Sequence, residues 1–370
     1  MKLKTIALIS GLALLSAGAH ANPFLKDKWP HTDFTRSTVD ISEVISGGPP
    51  KDGIPAIDAP RFDSIARAGE WLQPREPVIV LHLHEQARAY PLQLLIYHEI
   101  VNDRIDDTPF SVTFCPLCNS SVVFDRRVEG RVLDFGTTGM LRRSDMVMYD
   151  RQTESWWQQI IGEGIVGEYA GVRLQQLPSS IVSFEDFASA YPGGKVLNRT
   201  TGYTRSYGSN PYLGYDDIDQ TPFLFRGTVD SRLPPMERVI HIRIDGEEKI
   251  YPFSSLGNLA VLNDRLADRG IVLFSRKGLL SVLDQALISE SRSIQAVTAF
   301  EREIQGQLLE FEIRDGRVLD RQTGSTWNLL GEAVSGPLKG SVLKPAMSGI
   351  HFAFAWLAFN PEVEIYSAER

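Results

Sequence analysis

The chain is poor in cysteine, with two in 370 residues, and it has no basic run and no long apolar run beyond Ala17. Each absence removes a class of function. Two cysteines cannot build a disulfide framework for a chain of this size, so their role is local. A formal charge of −8 without a basic cluster makes a poor binder of nucleic acid or anionic membrane. No later stretch approaches the ~20 apolar residues that span a bilayer. A Gly-rich phosphate loop, a Gly-x-Ser-x-Gly elbow and a His-Glu-x-x-His helix are also missing.

What is there begins with an export signal. Lys2 and Lys4 precede the apolar run Ile6 to Ala17, and Ala19-His20-Ala21 offers small residues at the −3 and −1 positions of a cleavage site. The expectation is a signal peptide over 1–21, a mature chain starting at Asn22, and a soluble periplasmic protein. Loss of Lys2 and Lys4 takes the formal charge from −8 to −10. The remaining ~350 residues suffice for two ordinary domains.

The mature chain repeats itself. Tyr90-Pro91 and Asn102-Asp103 recur at Tyr251-Pro252 and Asn263-Asp264. Asp150-Arg-Gln-Thr-Glu-Ser-Trp-Trp157 recurs as Asp320-Arg-Gln-Thr-Gly-Ser-Thr-Trp327, and Gly162-Glu163 as Gly331-Glu332. The order is kept while the offset drifts from 161 (Tyr90 to Tyr251) to 170 (Asp150 to Asp320). This predicts two diverged copies of one module. The expected layout is an extension at 22–74, module one at 75–197, an ordered aromatic linker at 198–237 and module two at 238–370. The linker reads as a strap joining the modules or a lid over a site.

Val78-Ile-Val-Leu-His-Leu and Val239-Ile-His-Ile-Arg-Ile read as strands, and Pro91 to Val101 has helical spacing. Ser111-Val-Thr-Phe and Ser121-Val-Val-Phe flank the cysteines as strands. Phe184 to Tyr191, matched by Ile350 to Phe359, reads as a closing helix. The predicted class is α+β, mainly β, with each module a barrel- or sandwich-like arrangement carrying short helices.

The repeat also acts as an internal control. With Tyr90 on Tyr251, His98 and Glu99 fall opposite Leu259 and Ala260; with Phe114 on Phe274, Cys115 and Cys118 fall opposite Ser275 and Gly278. The four reactive side chains are absent together from module two, as are about six residues within Gly136 to Met148. A site confined to module one leaves that pattern. Cys115-Pro-Leu-Cys118 then admits three chemistries. As a metal knuckle it offers two thiolates to zinc or copper, with His98 as a further ligand and Glu99 as ligand, orienting group or general base. As a redox dithiol it resembles the glutaredoxin motif, although a strand follows Cys118 where that fold needs a helix. As a structural disulfide it closes too short a loop to gain much stability.

Other candidates carry blander readings. His82 and His84 share a strand face, Met146 and Met148 could offer thioethers to copper or simply fill the core, and Arg142-Arg143-Ser144-Asp145 suggests a solvated turn. His31, His241 and His351 read as isolated structural residues.

Tyr90-Pro91, His98-Glu-Ile-Val-Asn-Asp103, Thr113-Phe-Cys-Pro-Leu-Cys118 and Ser144-Asp…Tyr-Asp-Arg-Gln-Thr-Glu-Ser-Trp156 together resemble the domain of unknown function 3179 family. Asn210-Pro-Tyr-Leu-Gly-Tyr-Asp216 and Pro222-Phe-Leu-Phe-Arg-Gly227 extend the likeness over nearly the whole mature chain. The resemblance implies an extracytoplasmic protein with a Cys-Pro-x-Cys motif and no established activity. Asn119 departs from the Gly expected after the second cysteine, yet Asn tolerates positive φ and keeps the turn. The leading expectation is thus a copper- or zinc-binding periplasmic protein using Cys115, Cys118 and His98 with Glu99 as the catalytic group, an oxidoreductase or metal carrier. The alternatives are a ligand-binding scaffold with a disulfide and a dithiol redox protein. The small-molecule or metal-delivery partner is not legible.

Overall fold

Short, β-branched segments, several of them joined by two-residue turns, commit much of the chain to antiparallel ladders. The computed structural model describes residues 23–257 and 259–367, so the expected signal peptide lies outside the described residues. The fold is mainly β, with several sheets, five short α-helices among the described residues and no closed barrel. No helix among them is long and apolar enough to cross a membrane.

The strand Pro77–Leu83 shows why the local pattern works. Its first five residues are buried, and it pairs with Gln86–Pro91 through His84 and Glu85. Both turn residues have positive φ (48° and 63°), the geometry whose twist suits a two-residue hairpin. His84 is therefore a turn residue, bonded to Thr108 Oγ1 at 3.0 Å, and His82 packs on the Tyr191 ring at 4.9 Å. They do not form a ligand pair.

The helix after Pro91 is shorter than its spacing suggests. It spans Leu92–His98, and Ile100 already belongs to the strand Ile100–Ile105. Likewise the last helix is Ala353–Phe359, with Ile350 in the strand Met347–Phe352. In both places apolar residues that mimic helical spacing are instead the buried face of a strand.

The central sheet runs in the order Glu364–Ile365, Glu247–Pro252, Arg238–Ile244, Met347–Phe352, Ser120–Asp125, Thr108–Cys115, Ile100–Ile105. Segments from both halves of the chain thus share one sheet, joined where Ile350 pairs with Ser121. One apolar core extends from Ala56 to Val363. Two histidines that look isolated in sequence meet at this seam: His241 Nδ1 and His351 Nε2 are 2.8 Å apart, and Trp356 stacks on both rings. The N-terminal extension is likewise integrated. Val44–Ser46 adds a strand beside Phe135–Arg142, and Trp29 packs edge-on against Tyr149 and Trp156.

The recurring motifs have local physical jobs. Asn102 donates to the Phe135 carbonyl (2.8 Å) and accepts from its N–H (3.1 Å); Asn263 does the same with Phe311 (2.8 and 2.9 Å). Asp150 accepts from the Thr153 N–H and the Trp157 indole, as Asp320 does from Thr323 and Trp327. Asn102 pairs with Ser111 and Asn263 with Val272, so the residue four places beyond the partner is Cys115 in one hairpin and Arg276 in the other.

The Asn102 clamp yields a stability test. Asn102→Ala strands the buried amide and carbonyl of Phe135 and is expected to cost about 3 kcal/mol in urea unfolding. Asn263→Ala, at a less buried clamp, should cost about half that. Equal losses at the two positions would contradict the burial argument.

Candidate functional site

Thr108–Cys115 delivers Cys115 at its end, and Pro116–Cys118 forms a single tight helical turn. Asn119 closes it in the left-handed region (φ 46°, ψ 34°), as expected, and Ser120–Asp125 returns beside the first strand. A knuckle between two strands results, with Cys115 and Ser120 paired across it. Both cysteines are buried and free.

The third member of the cluster is Asp145. One carboxylate oxygen of Asp145 and the two cysteine sulfurs all lie within 4.8 Å of one another. Asp145 opens the strand Asp145–Asp150, just after a hairpin turn at Arg143 and Ser144, whose φ values are positive. Its Oδ2 accepts from Gln158 Nε2 (2.6 Å) and the Ile160 N–H (3.0 Å), while the buried Oδ1 has no hydrogen-bond partner. The sequence reading of this stretch as a solvated turn is corrected: Arg143 is partly exposed, but Ser144 and Asp145 are buried. The signal missed was position. The two-residue turn directs the next side chain inward, and nothing in residue spacing links it to Cys118.

Glu99 stands beside the cluster at the end of the helix Leu92–His98, with φ 58° and ψ −30°. That backbone conformation is strained for a residue with a side chain, and such strain gathers at functional positions. Burial, then the neighbouring Asp145, pushes the Glu99 carboxyl up to about 8. Burial likewise lifts Asp145 to about 7, against the lowering effect of Gln158 and the Ile160 N–H. Both thiols are pushed up by burial, Cys118 well above the ordinary range. Four acidic groups therefore favour their protonated forms in a water-poor pocket.

His98 is not part of the cluster. Its Nδ1 lies 2.7 Å from the Pro55 carbonyl and its Nε2 lies 2.6 Å from the Tyr207 hydroxyl. A carbonyl only accepts, so Nδ1 carries the proton and Nε2 accepts from Tyr207, which in turn accepts from Thr201 Oγ1. Burial holds the imidazole below its usual value, in keeping with this neutral form. Both ring nitrogens are used in tying the chain at Pro55 to the segment 198–237.

That segment covers the site. Tyr215 donates its hydroxyl to the Leu117 carbonyl (3.0 Å) inside the Cys-Pro-Leu-Cys turn and accepts from the Phe223 N–H (3.1 Å). Ser144 donates to the Phe223 carbonyl at 2.6 Å, joining the cover to the Asp145 hairpin. Met146 and Met148 are both buried, and Met146 borders a small cavity beside Glu99.

A family model described as "Protein of unknown function (DUF3179)" matches residues 51–363. No curated protein matches, and no solved structure matches.

The raised carboxyls give a signed pH prediction. Glu99 titrates near 8 when folded and near 4.5 when exposed, so its neutral form stabilises the fold below about 4.5 and that contribution is lost as pH rises toward 8. In metal-free protein, Glu99→Gln should match wild type at pH 4 and exceed it by a few kcal/mol at pH 8. Urea midpoints across that range check it, and parallel curves for the two proteins would contradict it.

Proposed function

The chain belongs to the DUF3179 family of unknown function, and from that premise we propose that it is a metal-binding protein that holds one Zn²⁺ with Cys115, Cys118 and Asp145. The observation that carries this reading is the unpartnered Oδ1 of Asp145, buried within a cluster that contains two free thiols. A buried carboxylate oxygen without a partner is costly, and a cation repays that cost while drawing the protons off the thiols. Two soft sulfurs with one hard oxygen match Zn²⁺ better than Cu⁺, which prefers an all-soft set. Asp145 takes the place that sequence reasoning gave to His98.

Three protein ligands leave a fourth position, the arrangement of catalytic rather than structural zinc sites. When bound, such a cation supplies Lewis acidity and lowers the pKa of a coordinated water. Glu99, raised toward neutrality and close by, suits the role of general acid or base. A metal-dependent enzyme is thus the first reading and a metal carrier the second. A nucleophilic dithiol is disfavoured because reactive thiols need lowered pKa values, whereas burial raises both of these. In the same reading the two halves are diverged copies of one module, the second keeping its clamps without the site, and residues 1–21 direct the protein to the periplasm.

Metal analysis of the protein purified from its export compartment tests this directly. Wild type is expected to carry about one zinc per chain, whereas Cys115→Ser/Cys118→Ser and Asp145→Asn lose it and His98→Asn keeps it. Apparent affinity should rise between pH 6 and pH 8, because binding displaces protons from the thiols. Equal metal content in wild type and the double cysteine variant would sink the proposal.

A further inference from the structure

Beside the thiol cluster lies a cavity of about 100 Å³, bordered by Glu99, Leu117, Met146, Tyr212 and Phe223. Its walls are mostly apolar, and no lysine, arginine or histidine lines it. Glu99 is 7% exposed, and its carboxyl makes no hydrogen bond among the described residues. The Tyr212 hydroxyl, in the same lining, makes none either. The lining therefore combines apolar walls with a carboxyl and a hydroxyl that no protein group partners. Small-ligand sites divide their work in the same way, with apolar walls holding the body and a few polar groups fixing the head.

Size and charge narrow the occupant. A ~150 Å³ apolar cavity accommodates benzene, so this one admits a molecule of about four non-hydrogen atoms. An anion would face Glu99 with no cation in the wall. A small ammonium would bury a charge against a single carboxyl in otherwise apolar surroundings. An amide or carbonyl head satisfies both Glu99 and Tyr212 without bringing a charge.

We propose that this cavity is a binding site for a small uncharged molecule with an apolar body and an amide- or carbonyl-type head that pairs with Glu99 and Tyr212. Binding does not rest on the metal reading, because Leu117 and Met146 wall the cavity while the cysteine sulfurs do not. Two of the walls, Tyr212 and Phe223, come from the segment 198–237, so occupancy also stiffens that cover.

Acetamide is the probe, with acetate, methylammonium and benzamide as charge and size controls, read by the methyl NMR signal of Met146 in the full-length mature protein. Acetamide is expected to give a saturable shift and to slow amide exchange in residues 210–223, whereas the three controls do neither. Glu99→Leu should weaken acetamide at least tenfold, Glu99→Gln should bind within threefold of wild type, and Ile54→Phe, which fills the cavity from a half-buried loop, should abolish the shift. Metal-free Cys115→Ser/Cys118→Ser should bind as wild type does; loss of binding there would move the recognition to the metal and overturn the proposal. No saturable shift with acetamide, equal binding of a control, or unchanged affinity in Glu99→Leu would overturn it as well.

Discussion

Two thiols and two carboxyls are buried together where Cys115, Cys118, Asp145 and Glu99 meet, and much of the surrounding structure follows from that crowding. Burial raises all four groups, and the neighbouring Asp145 adds to the rise at Glu99 and at both thiols. The protein manages the cluster unevenly. Asp145 receives two hydrogen bonds on one oxygen and none on the other, which fixes the carboxylate plane while leaving one oxygen toward the interior. Glu99 receives none at its side chain, so its ionisation responds to whatever else occupies the pocket. Buried together, these groups are most stable with their protons on.

The knuckle that holds the sulfurs is braced from the second half of the chain. Ser120, paired with Cys115 across the turn, lies 3.0 Å from His351 Nδ1, and His351 meets His241 and the face of Trp356. Burial keeps His351 down to about 3 and His241 well below its ordinary value, so the pair is neutral and adds no charge beside the thiols. The shared sheet continues that support through Ile350 and Ser121. A half without cysteines thus braces the half that has them, and its own turns are held by the clamps at Asn263 and Asp320.

The sequence revealed those features that depend on neighbours in the chain. The strands on either side of the cysteines, the left-handed Asn119 and the aromatic character of 198–237 all follow from local pattern, and the structure has them. Features that depend on where a turn points did not follow. Asp145 looks like a turn residue because Arg142, Arg143 and Ser144 precede it, yet the two-residue hairpin turns it inward. Helix ends were overextended at Ile100 and Ile350 because a buried strand and a helix face both place apolar residues at short intervals. The closed-barrel alternative failed because strands of both halves pair edge to edge rather than each closing on itself.

His98 brings these strands of argument together. Its absence from the second half, together with both cysteines, suggested a ligand, but its nitrogens serve Pro55 and Tyr207. The segment 198–237 crosses the cysteine turn at Leu117 and docks on the Asp145 hairpin at Ser144. Tyr207, bonded to both His98 and Thr201, belongs to that same segment. His98 thus ties the segment 198–237, through Tyr207 and Thr201, to the chain at Pro55. The buried cluster at Cys115, Cys118 and Asp145 and the segment 198–237 are then physically linked, since buried acids stay raised only while solvent is excluded.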